Sequence, residues 1–270
     1  MAEADRADLG LLVEAAEAAG ALAMRWFGHD PRTWKKGDTS IVSEADLAVD
    51  ALLAEKLRSA RTGYGWLSEE TADSDERLSR ERVFVVDPID GTRAFLAGEK
   101  EWTVALAVVE NGRPVAAALL APVLGEMFTA TAGGGAELNG SRIAVAGQET
   151  IAGARFAGPR RFARVVAEAF AAPVPPVRFV PSLAYRMALV AAGTIDVAVA
   201  GPDAHDWDLA AADLLVQEAG GTLISLAGRP PAYNRAGTSH PALVAANAGL
   251  GARVAERVAA WQRTQEEPRT

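Results

Sequence analysis

The pattern of apolar and polar positions predicts two amphipathic helices near the start of the chain. Residues 7–27 carry an apolar side chain every three or four positions, and a glycine and a proline soon afterwards end this helix. A polar loop, residues 35–40, follows. Ser43 and Asp46 have the spacing of a capping box, so we expect the second helix to begin there.

From residue 66 onward the pattern changes to short apolar runs that are typical of strands. Residues 66–70 form one such run, which ends in two acids, and the charged segment 73–82 predicts a solvated loop. The apolar runs 102–109 and 115–120 flank Asn111-Gly112, a dipeptide that favours a tight hairpin turn. The middle of the chain is therefore predicted to be an antiparallel meander.

The second half of the chain alternates short apolar strands with helical patterns. We expect strands at 154–157, 177–180, 195–200, 222–226 and 243–246, and helices at 160–170, 182–192, 207–220 and 251–265. This alternation predicts an α/β arrangement with a second sheet. We place a domain boundary near residues 139–150, which gives an N-terminal α+β domain, 1–145, and a C-terminal α/β domain, 146–270.

The central motif is V-F-V-V-D-P-I-D-G-T, residues 83–92. Its apolar run predicts a buried strand that stops at Asp87-Pro88, because proline has no N–H to donate to a sheet. Asp87 and Asp90 are then held on one turn, and two carboxylates at roughly 4 Å repel by about 4 kcal/mol at an effective dielectric of 20. A hard cation such as Mg²⁺ would relieve that repulsion. The alternative is an ordinary turn, since Asp-Pro and Asp-Gly are common turn dipeptides.

Composition narrows the possible functions. Half of the 270 residues are hydrophobic, enough for a substantial core, and the net charge of −8 argues against binding nucleic acids or anionic membranes. There is no cysteine, which excludes thiol catalysis and disulfides. The N-terminal residues are acidic where a signal peptide would be basic, and no run of about 18 apolar residues occurs, so we expect a cytoplasmic protein.

Further acids outside the central motif are candidate ligands, and each has an ordinary alternative role. Glu69 and Glu70 follow a strand-like run and could be solvated loop acids. Asp208 begins a helix, where Asp is commonly an N-cap, and Asp203 and Asp206 compete with it in the same loop. The chain has three histidines, and no two have the spacing of a zinc site.

Taken together, these segments resemble the inositol monophosphatase superfamily of magnesium-dependent, lithium-sensitive phosphatases. The matching segments are L-S-E-E at 67–70, D-P-I-D-G-T at 87–92, and W-D at 207–208 before a helix that ends E-A-G-G. Residues 36–46 match the family's upstream segment. The resemblance covers nearly the whole chain in the same order, and it implies a layered αβαβα sandwich that is often a homodimer.

The resemblance also implies a role for each matching residue. Glu69, Asp87 and the carbonyl of Ile89 would hold one Mg²⁺, and Asp87, Asp90 and Asp208 a second, with a third ion possible. The residues expected to orient or activate the attacking water are Asp46, Thr92 and Glu69. Two such metals can neutralise phosphate and stabilise the leaving oxygen. The N–H groups of Gly91 and Thr92, at a helix start, would bind phosphate oxygens.

Individual residues of the sequence indicate which substrate, among those of the superfamily, the protein hydrolyses. Ser68, the sequence around Arg93 and Tyr233-Asn234 favour a 3′(2′),5′-bisphosphate nucleotidase, which removes the 3′-phosphate of 3′-phosphoadenosine 5′-phosphate. Gly201 stands where inositol enzymes usually carry a glutamate, which points the same way.

A second phosphate on such a substrate would need a cation, and the candidates are Arg160, Arg161 and Arg186. The alternative is an inositol-1-phosphate or sugar phosphate phosphatase. A catalytically silent protein that binds phosphorylated ligands is a third hypothesis, and it would be expected to have lost metal-binding acids.

Overall fold

The computed structural model describes residues 3–36, 40–173 and 176–266. The helices are α1 (Glu3–Ala23), α2 (Glu44–Ala60), α3 (Thr92–Leu96), α4 (Arg160–Ala169), α5 (Leu183–Ala191), α6 (Asp206–Glu218) and α7 (Ala248–Glu266). The strands of the first half are β1 (Thr33–Lys36), β2 (Ser40–Ser43), β3 (Gly65–Ser68), β4 (Arg82–Asp90), β5 (Thr103–Glu110), β6 (Arg113–Ala121), β7 (Glu126–Thr131), β8 (Gly135–Leu138) and β9 (Ser141–Arg142). Those of the second half are β10 (Phe156–Ala157), β11 (Val177–Arg178), β12 (Val197–Ala200), β13 (Ala204–His205), β14 (Gly221–Ser225), β15 (Ser239–His240) and β16 (Leu243–Asn247).

The larger sheet has seven strands in the order β3-β4-β5-β6-β7-β8-β9. All neighbours are antiparallel except β3 and β4, which run parallel. Strand β4 is buried on both faces, and successive side chains alternate between them. Phe84 and Val86 pack in the core formed with α1 and α2, whereas Val83 and Val85 face the core formed with α5 and α6.

The second sheet has five strands in the order β11-β10-β12-β16-β14. Its Ala198 and Ala245 face α5 and α6, while Val197 and Val244 pack against α4 and α7 on the other side. The layers are therefore α1 and α2, the larger sheet, α5 and α6, the smaller sheet, then α4 and α7. The αβαβα sandwich expected from the sequence is confirmed.

One buried cluster runs through the middle layer and contacts both sheets. It joins Val85 and Leu119 of the larger sheet, Leu209 and Leu215 of α6, and Ala245 of the smaller sheet. The seven-stranded sheet lies within residues 65–142 and the five-stranded sheet within 156–247. A division at 145/146 separates the sheets, but the shared core leaves the two-domain description a prediction.

Three sequence-based predictions in the first half were wrong. Strand β4 does not stop at Asp87-Pro88 but runs on to Asp90, because a register shift in its pairing with β5 accommodates the proline. The expected polar loop 35–40 is partly two short paired strands, β1 and β2, while residues 37–39 lie outside the described residues. Segment 73–82 contains a 3₁₀ turn at Asp75–Ser79.

The second half contains every expected element, although the strand ends differ. Three of the strands are shorter than expected: β10 and β12 begin two residues late, at 156 and 197, and β11 ends two residues early, at 178. The sequence pattern also missed the two-stranded pairing of β13 with β15, because two-residue strands have no detectable periodicity. Among the described helices, none is long and apolar enough to cross a membrane.

Candidate active site

The site begins at the end of β4, in the middle of the larger sheet. Asp87 still pairs with Ala105 of β5, and Asp90 pairs with Thr103 after the register shift. Gly91 then adopts a positive φ of 91° and begins α3. Asp87 and Asp90 are both buried, which is unusual for carboxylates, so their position requires a compensating partner.

Asp208, at the start of α6, completes a cluster with these two acids. One carboxylate oxygen from each of Asp87, Asp90 and Asp208 lies within 4.8 Å of the other two. The larger sheet supplies two of the acids and α6 the third, so the packing of the middle layer brings them together. The cluster contains three of the four carboxylates that the sequence predicted to bind metal.

Burial and mutual repulsion make this cluster costly when it is fully charged. Desolvation raises the pKa of Asp87 well above its usual range, and the charges of Glu69, Asp90 and Asp208 raise it further. Desolvation and the charge of Asp90 raise the pKa of Asp208 to about 7. A positive charge between the acids would stabilise their ionised forms and lower these pKa values.

The donor set fits a hard divalent cation. Among the described residues, the buried Oδ2 of Asp87 has no hydrogen-bond partner, whereas its Oδ1 accepts from the N–H of Ile89 at 3.1 Å. A carboxylate with one unpartnered buried oxygen, grouped with two more carboxylates, is suited to coordinate Mg²⁺. Asp87, Asp90 and Asp208 are therefore the residues that would hold the metal.

The other two carboxylates are oriented by donors from the second half of the chain. Oδ2 of Asp90 accepts from the Ser182 hydroxyl at 2.5 Å and from the N–H of Ala184 at 2.7 Å, both at the start of α5. These bonds oppose the effect of desolvation, which still raises the pKa of Asp90. Oδ2 of Asp208 accepts from the N–H of His205 at 2.6 Å. Asp208 thus belongs to a capping box as well as to the acid cluster.

Asp46 and Thr92 contact each other beside the cluster. The Thr92 hydroxyl lies 3.0 Å from Oδ1 of Asp46 and 3.1 Å from the carbonyl oxygen of Ile89, so its one hydrogen can serve either acceptor. Asp46 also accepts from Ser43, which caps α2, through the N–H at 2.8 Å and the hydroxyl at 2.5 Å. Desolvation nevertheless raises the pKa of Asp46. The predicted capping box is present, and the same carboxylate reaches Thr92.

Glu69 follows β3, which runs parallel to β4, and its N–H donates to the carbonyl of Val86. It lies outside the group of three acids, but its charge is the second largest cause of the raised pKa of Asp87. Asp50 of α2 holds the turn that carries Glu69: its two oxygens accept from Ser68 at 2.5 Å and Thr71 at 2.6 Å. Both ends of the Glu69-Glu70 turn are therefore fixed to α2.

The predicted substrate arginines occupy different surroundings. Arg186 donates to the carbonyls of Val180 and Val199 through all three of its nitrogens, and burial lowers its pKa. Arg160 and Arg161 are exposed at the start of α4. A guanidinium nitrogen of Arg161 lies 3.9 Å from the position that a Cβ at Gly201 would occupy.

Two residues near the site were missed by the sequence analysis. Ser182 was placed only at a helix start, and its contact with Asp90 spans 92 residues, which no local pattern reveals. Asp50 lies four residues after Asp46 on α2, a spacing that puts both on one helix face and could have identified it. Asp206, a competitor of Asp208 in the sequence, instead accepts from His240 at 2.7 Å in the protein interior.

Comparisons with known proteins agree with this architecture. Residues 6–264 match the inositol monophosphatase family. The inositol-1-monophosphatase of Mesorhizobium japonicum is 35% identical over 230 residues, which cover 82% of this chain and 86% of that protein. The histidinol-phosphatase of Mycobacterium tuberculosis is 34% identical over 232 residues, 82% of this chain and 88% of that protein.

A solved structure extends the likeness to the fold. The extragenic suppressor protein suhB from Bartonella henselae superposes with a TM-score of 0.82 at 27% identity, and the match covers 93% of this chain and 98% of that one. The resemblance inferred from the sequence motifs is thereby confirmed. The chain belongs to the inositol monophosphatase family, whose members are magnesium-dependent phosphoric monoester hydrolases.

Proposed function

We propose that this phosphatase hydrolyses small polyol monophosphates, with inositol 1-phosphate as the preferred type of substrate, at the cluster of Asp87, Asp90 and Asp208. The observation that carries the proposal is the convergence of two buried acids, Asp87 and Asp90, with the half-buried Asp208, together with a buried oxygen of Asp87 that has no hydrogen-bond partner. Bound Mg²⁺, two or three ions by family resemblance, would neutralise phosphate charge and promote attack by water.

Other residues of the chain would activate the attacking water and bind the phosphate. Asp46 and Thr92 form a proton-accepting pair: the Thr92 hydroxyl orients the attacking water, and Asp46 receives the proton through it. Glu69 is a second candidate for this role. The N–H groups of Gly91 and Thr92 lie at the start of α3, where they would donate to phosphate oxygens.

The proposed preference for a monophosphate differs from the sequence analysis, which favoured a bisphosphate nucleotidase over an inositol-1-phosphate phosphatase. Relatives of this chain include a named inositol-1-monophosphatase and a histidinol-phosphatase, both of which act on monophosphates by name. Arg186, one of the cations expected to bind a second phosphate, is committed to two backbone carbonyls. Its hydrogen bonds support a role in holding α5 against β12 instead.

The bisphosphate nucleotidase is the second candidate, and Arg161 is the observation in its favour. This exposed guanidinium reaches the vicinity of Gly201, at the end of β12 and seven positions before Asp208. A second phosphate could bind there. Charged hydrogen bonds contribute roughly 1.5–3 kcal/mol, which corresponds to about ten- to a hundredfold in binding.

A phosphate-release assay with Mg²⁺ distinguishes the two candidates. We expect kcat/KM for inositol 1-phosphate to exceed that for 3′-phosphoadenosine 5′-phosphate, and Arg161→Ala to change neither by more than about twofold. A higher kcat/KM for the nucleotide, together with a selective loss in Arg161→Ala but not in Arg160→Ala, would establish the nucleotidase. Absence of turnover on every phosphomonoester would contradict both. The homodimer expected from the family is checked separately by light scattering of the purified protein.

A further inference from the structure

A cavity lies away from the acid cluster, on the side of the smaller sheet. It has a volume of about 660 Å³ and is bounded by the segment after β14, by β15 and the start of β16, and by the end of α7. Pro231 and Leu243 contribute buried apolar surface to its wall. The volume is in the range of about 300–1,000 Å³ that is typical of small-molecule sites.

The charge of this cavity is opposite to that of the protein. Arg229, Arg235 and Arg263 line it, and no aspartate or glutamate does, although the chain as a whole carries a net charge of −8. Among the described side chains, none of these three guanidinium groups makes a hydrogen bond or an ion pair. Three like charges around one cavity repel one another, and a bound anion would offset that repulsion.

A second arginine-lined cavity shows that such grouping is not sufficient by itself. This cavity, of about 630 Å³ beside α2 and β3, is lined by Arg58, Arg61, Arg77 and Arg80 and also by Glu55 and Glu76. Arg61, Arg77 and Arg80 are already paired with Asp8, Asp73 and Glu76 respectively. The protein therefore places its own acids in and around this cavity, whereas no aspartate or glutamate lines the other.

We propose that the cavity lined by Arg229, Arg235 and Arg263 binds a small organic polyanion, which carries phosphate or carboxylate groups and has an apolar portion. Guanidinium groups donate paired N–H bonds that match both anions, and the apolar portion would rest on Pro231 and Leu243. This proposal does not depend on the proposed substrate, because the cavity contains none of the residues of the acid cluster.

A ligand in this cavity would lie beside His240, on a strand that pairs with the segment before Asp208. His240 lines the cavity, and its Nε2 lies 2.7 Å from Oδ1 of Asp206 on α6. The strand that carries His240 pairs with β13, where the N–H of His205 donates to Asp208. The lining of the cavity is thus linked to one of the predicted metal ligands through the pairing of β15 with β13 and the hydrogen bond from His205.

Isothermal titration calorimetry on the full-length protein tests the proposal. The protein is stripped of metal on a chelating resin, so that the acid cluster repels anions, and is titrated with citrate and with inorganic phosphate at low salt. We expect saturable binding of citrate at one site, with a dissociation constant below about 1 mM. Phosphate is expected to bind more weakly, because it carries fewer anionic groups.

Charge-reversal variants locate the site. Arg235→Glu and Arg263→Glu should each weaken citrate binding at least tenfold, since each removes a charged hydrogen bond and adds a repulsive charge. Arg25→Glu is the matched control, because Arg25 is an exposed arginine outside both cavities and its reversal changes the net charge equally. All these side chains are exposed, so the variants should fold, which thermal melting verifies. Absence of saturable citrate binding, or equal weakening in the control, would overturn the proposal.

Discussion

Replacing Asp87 by Asn should separate the stability of the protein from its ability to bind Mg²⁺. Asn has the same shape and can still accept from the N–H of Ile89, but it removes the charge shared by the whole cluster. At 4.8 Å and an effective dielectric of 20, each ionised pair of carboxylates repels by about 3.5 kcal/mol. Near pH 7 the native cluster relieves part of that repulsion by holding a proton, because the pKa of Asp208 is about 7.

We therefore expect the metal-free variant to be more stable than the native protein by about 1–3 kcal/mol. Bound Mg²⁺ should stabilise the native protein and not the variant, and so offset or reverse this difference in stability. At a concentration of about 100 times its dissociation constant, one ion stabilises the native protein by about 2.7 kcal/mol, whereas a variant that does not bind it gains nothing. Phosphatase activity of Asp87→Asn should fall to background.

Urea unfolding at pH 7.5, with and without Mg²⁺, measures both effects. The matched control is Asp213→Asn, which alters another buried aspartate that hydrogen-bonds Tyr233 and Gln217 instead of facing the cluster. This control should keep the full stabilisation by Mg²⁺. If Mg²⁺ stabilises Asp87→Asn as much as it stabilises the native protein, Asp87 is not a metal ligand and the electrostatic argument fails.

Three further predictions follow from the same contacts. Asp208→Asn should raise the half-saturating Mg²⁺ concentration at least tenfold and weaken inhibition by millimolar Li⁺ in phosphate-release assays; if Asp208 served only in the capping box of α6, the substitution would cost about 1 kcal/mol of stability and leave the metal dependence unchanged. Ser182→Ala should cost about 1–3 kcal/mol in urea unfolding and raise the Mg²⁺ requirement, because Asp90 and the start of α5 both lose a partner; an unchanged requirement would mean that Ser182 is structural only. Burial raises the pKa of Asp213 to about 6, so the folded state takes up a proton before the unfolded state does. Its contribution to stability therefore grows by up to about 3 kcal/mol as the pH falls from 6 to 4 and is lost as the pH rises through 6. The difference in unfolding free energy between the native protein and Asp213→Asn should show this pH dependence, and a constant difference would contradict it.

The sequence predicted those parts of the site that depend on local patterns. The apolar run before Asp87 and the fixed spacing to Asp90 placed two acids at the end of a buried strand, and the structure has them there. The capping-box spacing of Ser43 and Asp46 likewise predicted the start of α2. Each of these signals lies within a few residues, where backbone geometry limits the possibilities.

The parts that the sequence did not predict depend on contacts between distant segments. Pro88 argued for a strand end, but a register shift against β5 accommodates it, and that shift depends on the partner strand. Arg77 was assigned to a solvated loop, yet it is buried because Asp73 and Asn234, 157 residues further along, both bind its guanidinium. Arg186 was considered for substrate binding, and only the structure shows its bonds to backbone carbonyls.

The contact of Asp90 with Ser182 and Ala184 determines when the acid cluster can be completed during synthesis of the chain. The two acids of β4 leave the ribosome well before the residues that orient Asp90, which follow 92 and 94 positions later. Asp208 is made later still. A nascent or truncated chain that ends before α6 would therefore carry an incomplete acid cluster, and added Mg²⁺ could not activate it. Phosphatase activity then reports that the middle helical layer has closed onto the larger sheet, which makes it a sensitive measure of complete folding.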